Sequence, residues 1–210
     1  MSNPHIVLVP GAWHAPFYMD SVTTKLESLG YILHARQMPA VGSSDPPTDL
    51  STDIAALRAM VEEAIGESND VVVICHSWGG MITGSGLEGL SKKEREEQGK
   101  QGGVVRCGYM TAFIVDVGVC LMDVIGGKDP EWFDIKVLPL SPLSSLYQLL
   151  QLLQLLQPQH LIRSWQDKLV YATAPEIFYN DLPVSEQNAW AAKLQSHAYA
   201  TLWAKTTAAR

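Results

Sequence analysis

Residues 70–75, Asp-Val-Val-Val-Ile-Cys, run into His-Ser-Trp-Gly-Gly without a spacer. The apolar run is too short for a helix and almost purely β-branched, which suits a strand buried on both faces. Ser77 and the glycines after it then require a turn from strand to helix within about one residue. The same alternation surrounds this segment. HIVLVPG (5–11) reads as a buried strand, and a helix is expected from about Tyr18 to Leu29, with Val22, Leu26 and Leu29 inward and Gly30 as its stop. YILHARQ (31–37) is a strand, 38–48 a Pro/Gly/Ser loop, and Ser51–Gly66 a helix facing inward through Ile54, Leu57, Val61 and Ala64/Ile65. A third helix is expected from Ser77 to about Leu90, a solvated link over 91–103, and a strand within 104–115. Strand alternating with helix means an α/β fold, a mostly parallel sheet with crossover helices.

After about Val117 the alternation stops. LMDVIGG, EWFDI and PEIFYNDLPVSEQNAWAAKL read as short helices joined by loops, giving a core over 1–118 and a helical cap over 119–210. Between them, Gln-Leu-Leu repeats at period three over 146–161, so leucine drifts around all sides of a helix. The stretch of about 136–172 is read as a low-complexity insertion in the cap; an apolar surface for a lipid or a partner is the alternative.

Length and composition bound the function. A chain of 210 residues supplies one domain with a good core. A formal charge of −7 argues against nucleic acid or an anionic membrane as partner. Cys75, Cys107 and Cys120 are odd in number and lack metal-ligand spacing, so neither a disulfide framework nor a metal site is expected, and a reducing, cytoplasmic setting fits. No membrane span is expected, because no charge-free apolar stretch reaches about 18 residues, and the N-terminus lacks the pattern of a signal peptide. GSGLEG (84–89) lies inside the third helix and is no dinucleotide fingerprint, so no cofactor is expected and the partner is a small-molecule substrate.

Cys75-His76-Ser77-Trp78-Gly79 resembles the nucleophile elbow of the α/β-hydrolase fold, usually G-x-S-x-G, with cysteine here at the first glycine. Gly79 and Gly80, then Gly84 and Gly86, would let the helix lie close to the sheet. The resemblance implies Ser77 as nucleophile and the backbone N–H groups of Ala12 and Trp78 as an oxyanion hole; the competing reading makes Ser77 only the N-cap of the third helix. His14, in the VPGAWH loop, is either a substrate contact or a loop-fixing hydrogen bond. Trp13, Trp78, Phe113, Trp132 and Phe178 are candidates for an apolar pocket. PGAWH, CHSWGG, GLSKKEREEQGKQGGVV and PEIFYNDLP together resemble a fungal and bacterial branch of small esterase-like hydrolases related to plant methylesterases and hydroxynitrile lyases. That match runs through 5–118, returns at about 174–208 and fails over roughly 136–172, which reads as foreign sequence such as a retained intron.

In this family the triad follows the chain order Ser, acid, His, and the acid and histidine are expected after the cap. The chain stops at YATLWAKTTAAR, so the last two strands, the acid and the histidine are expected to be missing. The other histidines are weak substitutes. His5 and His34 lie in strands, His76 points away from its neighbour Ser77, His160 follows the Gln-Leu repeat and His197 belongs to the cap. Asp116 reads as an exposed loop carboxylate. The expected function is a serine hydrolase of small esters or thioesters in secondary metabolism. The alternatives are a truncated, impaired relative or a lyase or isomerase on the same scaffold. A sheet edge left open would favour self-association.

Overall fold

The computed structural model of the chain describes residues 3–137 and 168–207; the Gln-Leu repeat and His160 lie outside them. Four strands, β1 (His5–Val9), β2 (Leu33–Ala35), β3 (Asp70–His76) and β4 (Gly103–Met110), form a fully parallel sheet in the order β2-β1-β3-β4. Between them run α1 (Asp20–Ser28), α2 (Ser51–Ile65), α3 (Gly79–Gly86) and α4 (Lys92–Glu97). This is the expected α/β core. Val7, Val9, Val71, Val73 and Cys75 are completely buried on the sheet face that meets Leu57, Met60, Val61 and Ala64 of α2, each large aliphatic side chain contributing about 1.5–3 kcal/mol.

Several elements differ from the sequence reading. Strand β3 is not buried on both faces: Val71, Val73 and Cys75 are buried, whereas Val72, Ile74 and His76 are half-buried on the opposite face, away from α2. Helix α1 buries none of its residues, with Val22 and Leu29 exposed, because it packs beside the edge strand β2. Its stop is as read: Gly30 has φ +82°, its N–H donates to Glu27 O, and Tyr31 N–H donates to Leu26 O, a Schellman closure. Helix α3 is shorter than expected, starting at Gly79 and ending at Gly86. The solvated link contains α4, whose N-cap Ser91 accepts from Glu94 N. The Ser-x-x-Glu spacing over 91–94 is a capping signal that the charge run concealed.

The region read as a cap contains the expected short helices α5 (Leu121–Val124), α6 (Pro175–Tyr179) and α7 (Val184–Ala191), an unexpected one, α8 (Tyr199–Trp203), and also an antiparallel sheet. EWFDI is not helical: β5 (Phe133–Val137) pairs with β6 (Lys168–Ala172), which pairs with β7 (His197–Ala198). Residues 136–137 and 168–172, at the margins of the expected insertion, are thus paired strands.

One buried carboxylate ties core to cap. Asp53, in the first turn of α2, accepts from Ala40 N at 3.0 Å; Ala40 O accepts from Ala198 N at 2.8 Å, and Ser196 O accepts from Gly42 N at 2.8 Å. Burial pushes the Asp53 carboxyl up to about 6. On the same seam His197 is fully buried, its Nε2 3.0 Å from Thr201 Oγ1 and its ring stacked edge-on against Trp78 at 4.7 Å. The Thr201 hydroxyl donates to Ala198 O at 2.7 Å, so His197 Nε2 carries the proton that Thr201 accepts.

Burial holds His197 down to about 3. The unfolded chain binds its proton near 6.5 and the folded chain does not, so stability must fall as pH drops from about 6.5 toward 3, by up to roughly 5 kcal/mol. Asp53 acts with the opposite sign, since a raised carboxyl favours the folded state as pH falls from about 6 toward 4. Urea unfolding between pH 7 and 4 is therefore expected to show a smaller acid loss in His197→Gln than in the parent chain, and a larger one in Asp53→Asn.

Candidate active site

Strand β3 delivers the chain to Ser77, which adopts φ +50°, a left-handed conformation unusual for any residue but glycine. Helix α3 begins two residues later with Trp78 as its N-cap and no side-chain cap, so Ser77 is not the capping residue. Main-chain bonds fix the corner: Ser77 N donates to Met110 O at 3.4 Å, and Phe113 N and Gly80 N both donate to Ser77 O at 3.1 Å. Small residues let the surroundings close in. A Cβ on Gly11 would lie 3.0 Å from Ser77 Cβ, one on Gly79 2.8 Å from Pro10 O, and one on Gly80 would strike the Phe113 carbonyl. Gly86 serves a different contact, against Leu57 of α2 rather than the sheet.

The loop after β1 therefore lies directly against the elbow. Among the described residues, neither the Ala12 nor the Trp78 amide donates to an acceptor in the chain, and the Ser77 hydroxyl has no hydrogen-bond partner. All three residues line one cavity of about 190 Å³ together with Trp13, Phe113 and, from the cap, Trp132, Phe133 and Phe178. Among the described residues its lining carries no charged side chain. Trp13 organises this wall: its ring meets Trp132 and Phe133 at 5.4 Å and Phe178 at 5.7 Å, while its indole N–H donates to Val170 O of β6 at 3.1 Å. Phe133 was missed in the sequence because its segment was read as helix; the alternation of Phe133, Ile135 and Val137 with Asp134 and Lys136 is the period-two signal that marks it. A larger, more open hollow of about 520 Å³ between α3, α4 and β4, lined in part by Thr83, Leu87 and Cys107, does not include Ser77.

The histidines fall into different settings. His14 is not in the cavity wall; its Nδ1 lies 2.7 Å from Ala12 O and its Nε2 3.1 Å from Tyr179 OH. His76 sits behind the elbow beside Gly11, and burial lowers its affinity for a proton. His5 and His34 hydrogen-bond each other across β1 and β2 at 3.1 Å. Asp116 is exposed in a turn, its carbonyl accepting from Val119 N and from Thr206 Oγ1. Among the described residues no imidazole is hydrogen-bonded to Ser77, and no cluster of three or more His, Cys, Asp or Glu side chains could hold a metal ion. No helix among them is long and apolar enough to cross a membrane.

Comparison with known proteins agrees with the fold. A family model described as the alpha/beta hydrolase family matches residues 6–210. Alpha/beta hydrolase nvfD of Aspergillus novofumigatus is 33% identical over 131 residues, covering 62% of this chain and 52% of that protein. Probable hydrolase R7 of a Phoma species is 32% identical over 133 residues, covering 62% and 51%. The chain spans about half the length of these curated relatives. Among solved structures, polyneuridine aldehyde esterase superposes with a TM-score of 0.62 over 98% of this chain and 75% of its own, at 15% identity. A Paenibacillus extracellular alpha/beta-hydrolase gives 0.62 over 98% and 72% at 14% identity, and the Arabidopsis methylesterase MES16 gives 0.60 over 99% and 72% at 15%. At such identities the likeness is one of fold.

The tight elbow is testable without a substrate. Gly80→Ala is expected to lose about 2–3 kcal/mol in chemical denaturation, because its Cβ meets main chain that cannot swing aside. Gly108→Ala, whose Cβ would meet only ordinary contacts at 3.6 Å, is expected to stay within about 1 kcal/mol of the parent.

Proposed function

Since the chain belongs to the alpha/beta hydrolase family, we propose that it is a serine hydrolase of small apolar esters or thioesters, with Ser77 as nucleophile. The observation that carries this reading is a left-handed Ser77 sharing one cavity with the unengaged amides of Ala12 and Trp78. In the reaction, Ser77 Oγ attacks the substrate carbonyl carbon and loses its proton to a base. The negative charge that builds on the carbonyl oxygen is held by the Ala12 and Trp78 N–H groups, oriented in advance and shielded from water by the aromatic wall. The carbon–oxygen or carbon–sulfur bond then breaks, the leaving alcohol or thiol takes a proton, and the acyl group stays on Ser77 until water releases it as the acid. A cavity whose described lining carries no charge favours a neutral acyl group.

A second reading, a catalytically impaired hydrolase-like protein, is supported by one observation: among the described residues no imidazole is hydrogen-bonded to Ser77. A serine hydroxyl without a base is a weak nucleophile. The odd number of cysteines and their lack of paired spacing support a reducing, cytoplasmic setting, and the resemblance to a fungal and bacterial esterase-like branch supports a role in secondary metabolism. The exposed Val105 and Met110 of the edge strand β4 favour self-association, for which sedimentation velocity over a range of concentrations is the check.

A fluorophosphonate probe separates the readings. Labelling of the parent chain that disappears in Ser77→Ala supports the hydrolase. No labelling of the parent supports the impaired form, and labelling that survives Ser77→Ala removes Ser77 as the nucleophile.

A further inference from the structure

Among the described residues the cap holds the loop after β1 at four points. Gln195 N donates to Trp13 O at 3.0 Å, the Trp13 indole to Val170 O at 3.1 Å, and Tyr18 OH to Trp190 O at 2.9 Å. The fourth is the His14–Tyr179 contact at 3.1 Å, and it leads through His14 to Ala12, a residue of the cavity lining. The roles of its atoms follow from chemistry. Ala12 O accepts only, so His14 Nδ1, 2.7 Å away, carries a proton. Burial keeps the ring neutral, which leaves Nε2 as an acceptor, and burial likewise keeps Tyr179 a protonated phenol, able to donate to it.

His14 also acts through its backbone. Its N–H donates to Gly11 O at 3.4 Å. Gly11 C=O and Ala12 N–H belong to one trans peptide unit, so fixing the carbonyl fixes the direction of the amide on the opposite side. The imidazole fixes the next peptide unit through Ala12 O. Residue 12 is thus held on both sides by the same histidine, and that histidine is held by α6 of the cap.

We propose that His14 is a positioning residue that transmits the seating of the cap, through Tyr179, to the Ala12 amide of the oxyanion hole. This rests on the reading of Ser77, Ala12 and Trp78 as an acyl-transfer site. It differs from a substrate contact, since both ring nitrogens are engaged within the chain.

Tyr179→Phe removes the donor and keeps the ring; His14→Asn keeps a donor for Ala12 O and is too short to reach Tyr179. Both break one link, so each is expected to lower the inactivation rate constant of Ser77 by fluorophosphonate about tenfold, less than the 10²–10³ typical of deleting an oxyanion donor. The half-saturating probe concentration should not move, and the double variant should be no slower than either single one. A parent-like rate in Tyr179→Phe, or single effects that multiply, overturns the proposal. If the parent chain is not labelled, the acyl-transfer reading fails while this coupling is still decided by nitrogen-15 NMR. A protonated Nδ1 on His14, and an Ala12 amide resonance that shifts in Tyr179→Phe, support it. A protonated Nε2, or an unmoved Ala12 amide, overturns it.

Discussion

The left-handed backbone of Ser77 is the constraint around which the rest of the core is arranged. A non-glycine residue in that region costs of order 1–3 kcal/mol and persists only where its surroundings over-determine it. Here three main-chain hydrogen bonds do so, two of them from segments 30 or more residues away or at the far end of β4. The bonds from Ser77 to Met110 and Phe113 need the chain leaving β4 to bend sharply, and Thr111 between them is itself at φ +43°. Trp13, in the loop after β1, has φ +64°. All the positive-φ residues other than glycine thus lie, among the described residues, at or just beyond the carboxyl ends of β1, β3 and β4. Three adjacent parallel strands end in strained turns that converge on one cavity, the place where open parallel sheets offer a crevice to ligands.

The cap is seated by aromatic packing rather than by charge. Trp13, Trp132, Phe133 and Phe178 meet one another at ring separations of 4.6–5.7 Å in tilted or edge-on contacts, each such pair adding about 0.5–1.5 kcal/mol beyond area burial. These rings also form the cavity wall, so the surface that seats the cap is the surface a ligand would touch. The seam has a cost as well. Among the described residues, Trp78 Nε1, His197 Nδ1 and one Asp53 oxygen are buried without hydrogen-bond partners, and unpaired buried polar atoms of this kind cost about 1–3 kcal/mol each. The seam is therefore less stable than its aromatic contacts alone suggest.

The parts of this arrangement that were legible in the sequence are those encoded by neighbours. The β-branched run of β3, the inward stripe of α2, the glycine stop of α1 and the serine-glycine corner each follow from residues within a few positions. Strand β5 was also local: EWFDI is read as a short helix, but the alternation that marks a strand begins at Phe133 and runs on to Val137. The exposure of Val22 and Leu29 was not legible, since the width of the sheet beneath α1 is a property of the whole topology. Nor was the network around His14: its partner Tyr179 is 165 residues away, and Trp13 bonds to Val170 across 157. A histidine in a loop admits several roles until its two nitrogens are given partners.

Two requirements of the proposed acyl transfer are separated by this geometry. In that proposal, presenting the hydroxyl and cradling the developing charge fall to residues 11–14, 77–80 and 110–113, which the elbow's own hydrogen bonds hold together. Removing the hydroxyl proton would fall to a group outside these segments. Oxyanion binding alone can retain about 10³–10⁴-fold catalysis over water in serine enzymes stripped of triad members, so the first requirement has chemical value without the second. It is also the requirement on which the cap acts. Phe178 of the cavity lining is followed directly by Tyr179, which contacts His14. Under the proposed coupling, a ligand that packs against Trp132 and Phe178 and steadies that segment would also steady the Ala12 amide, and linkage would make the effect mutual.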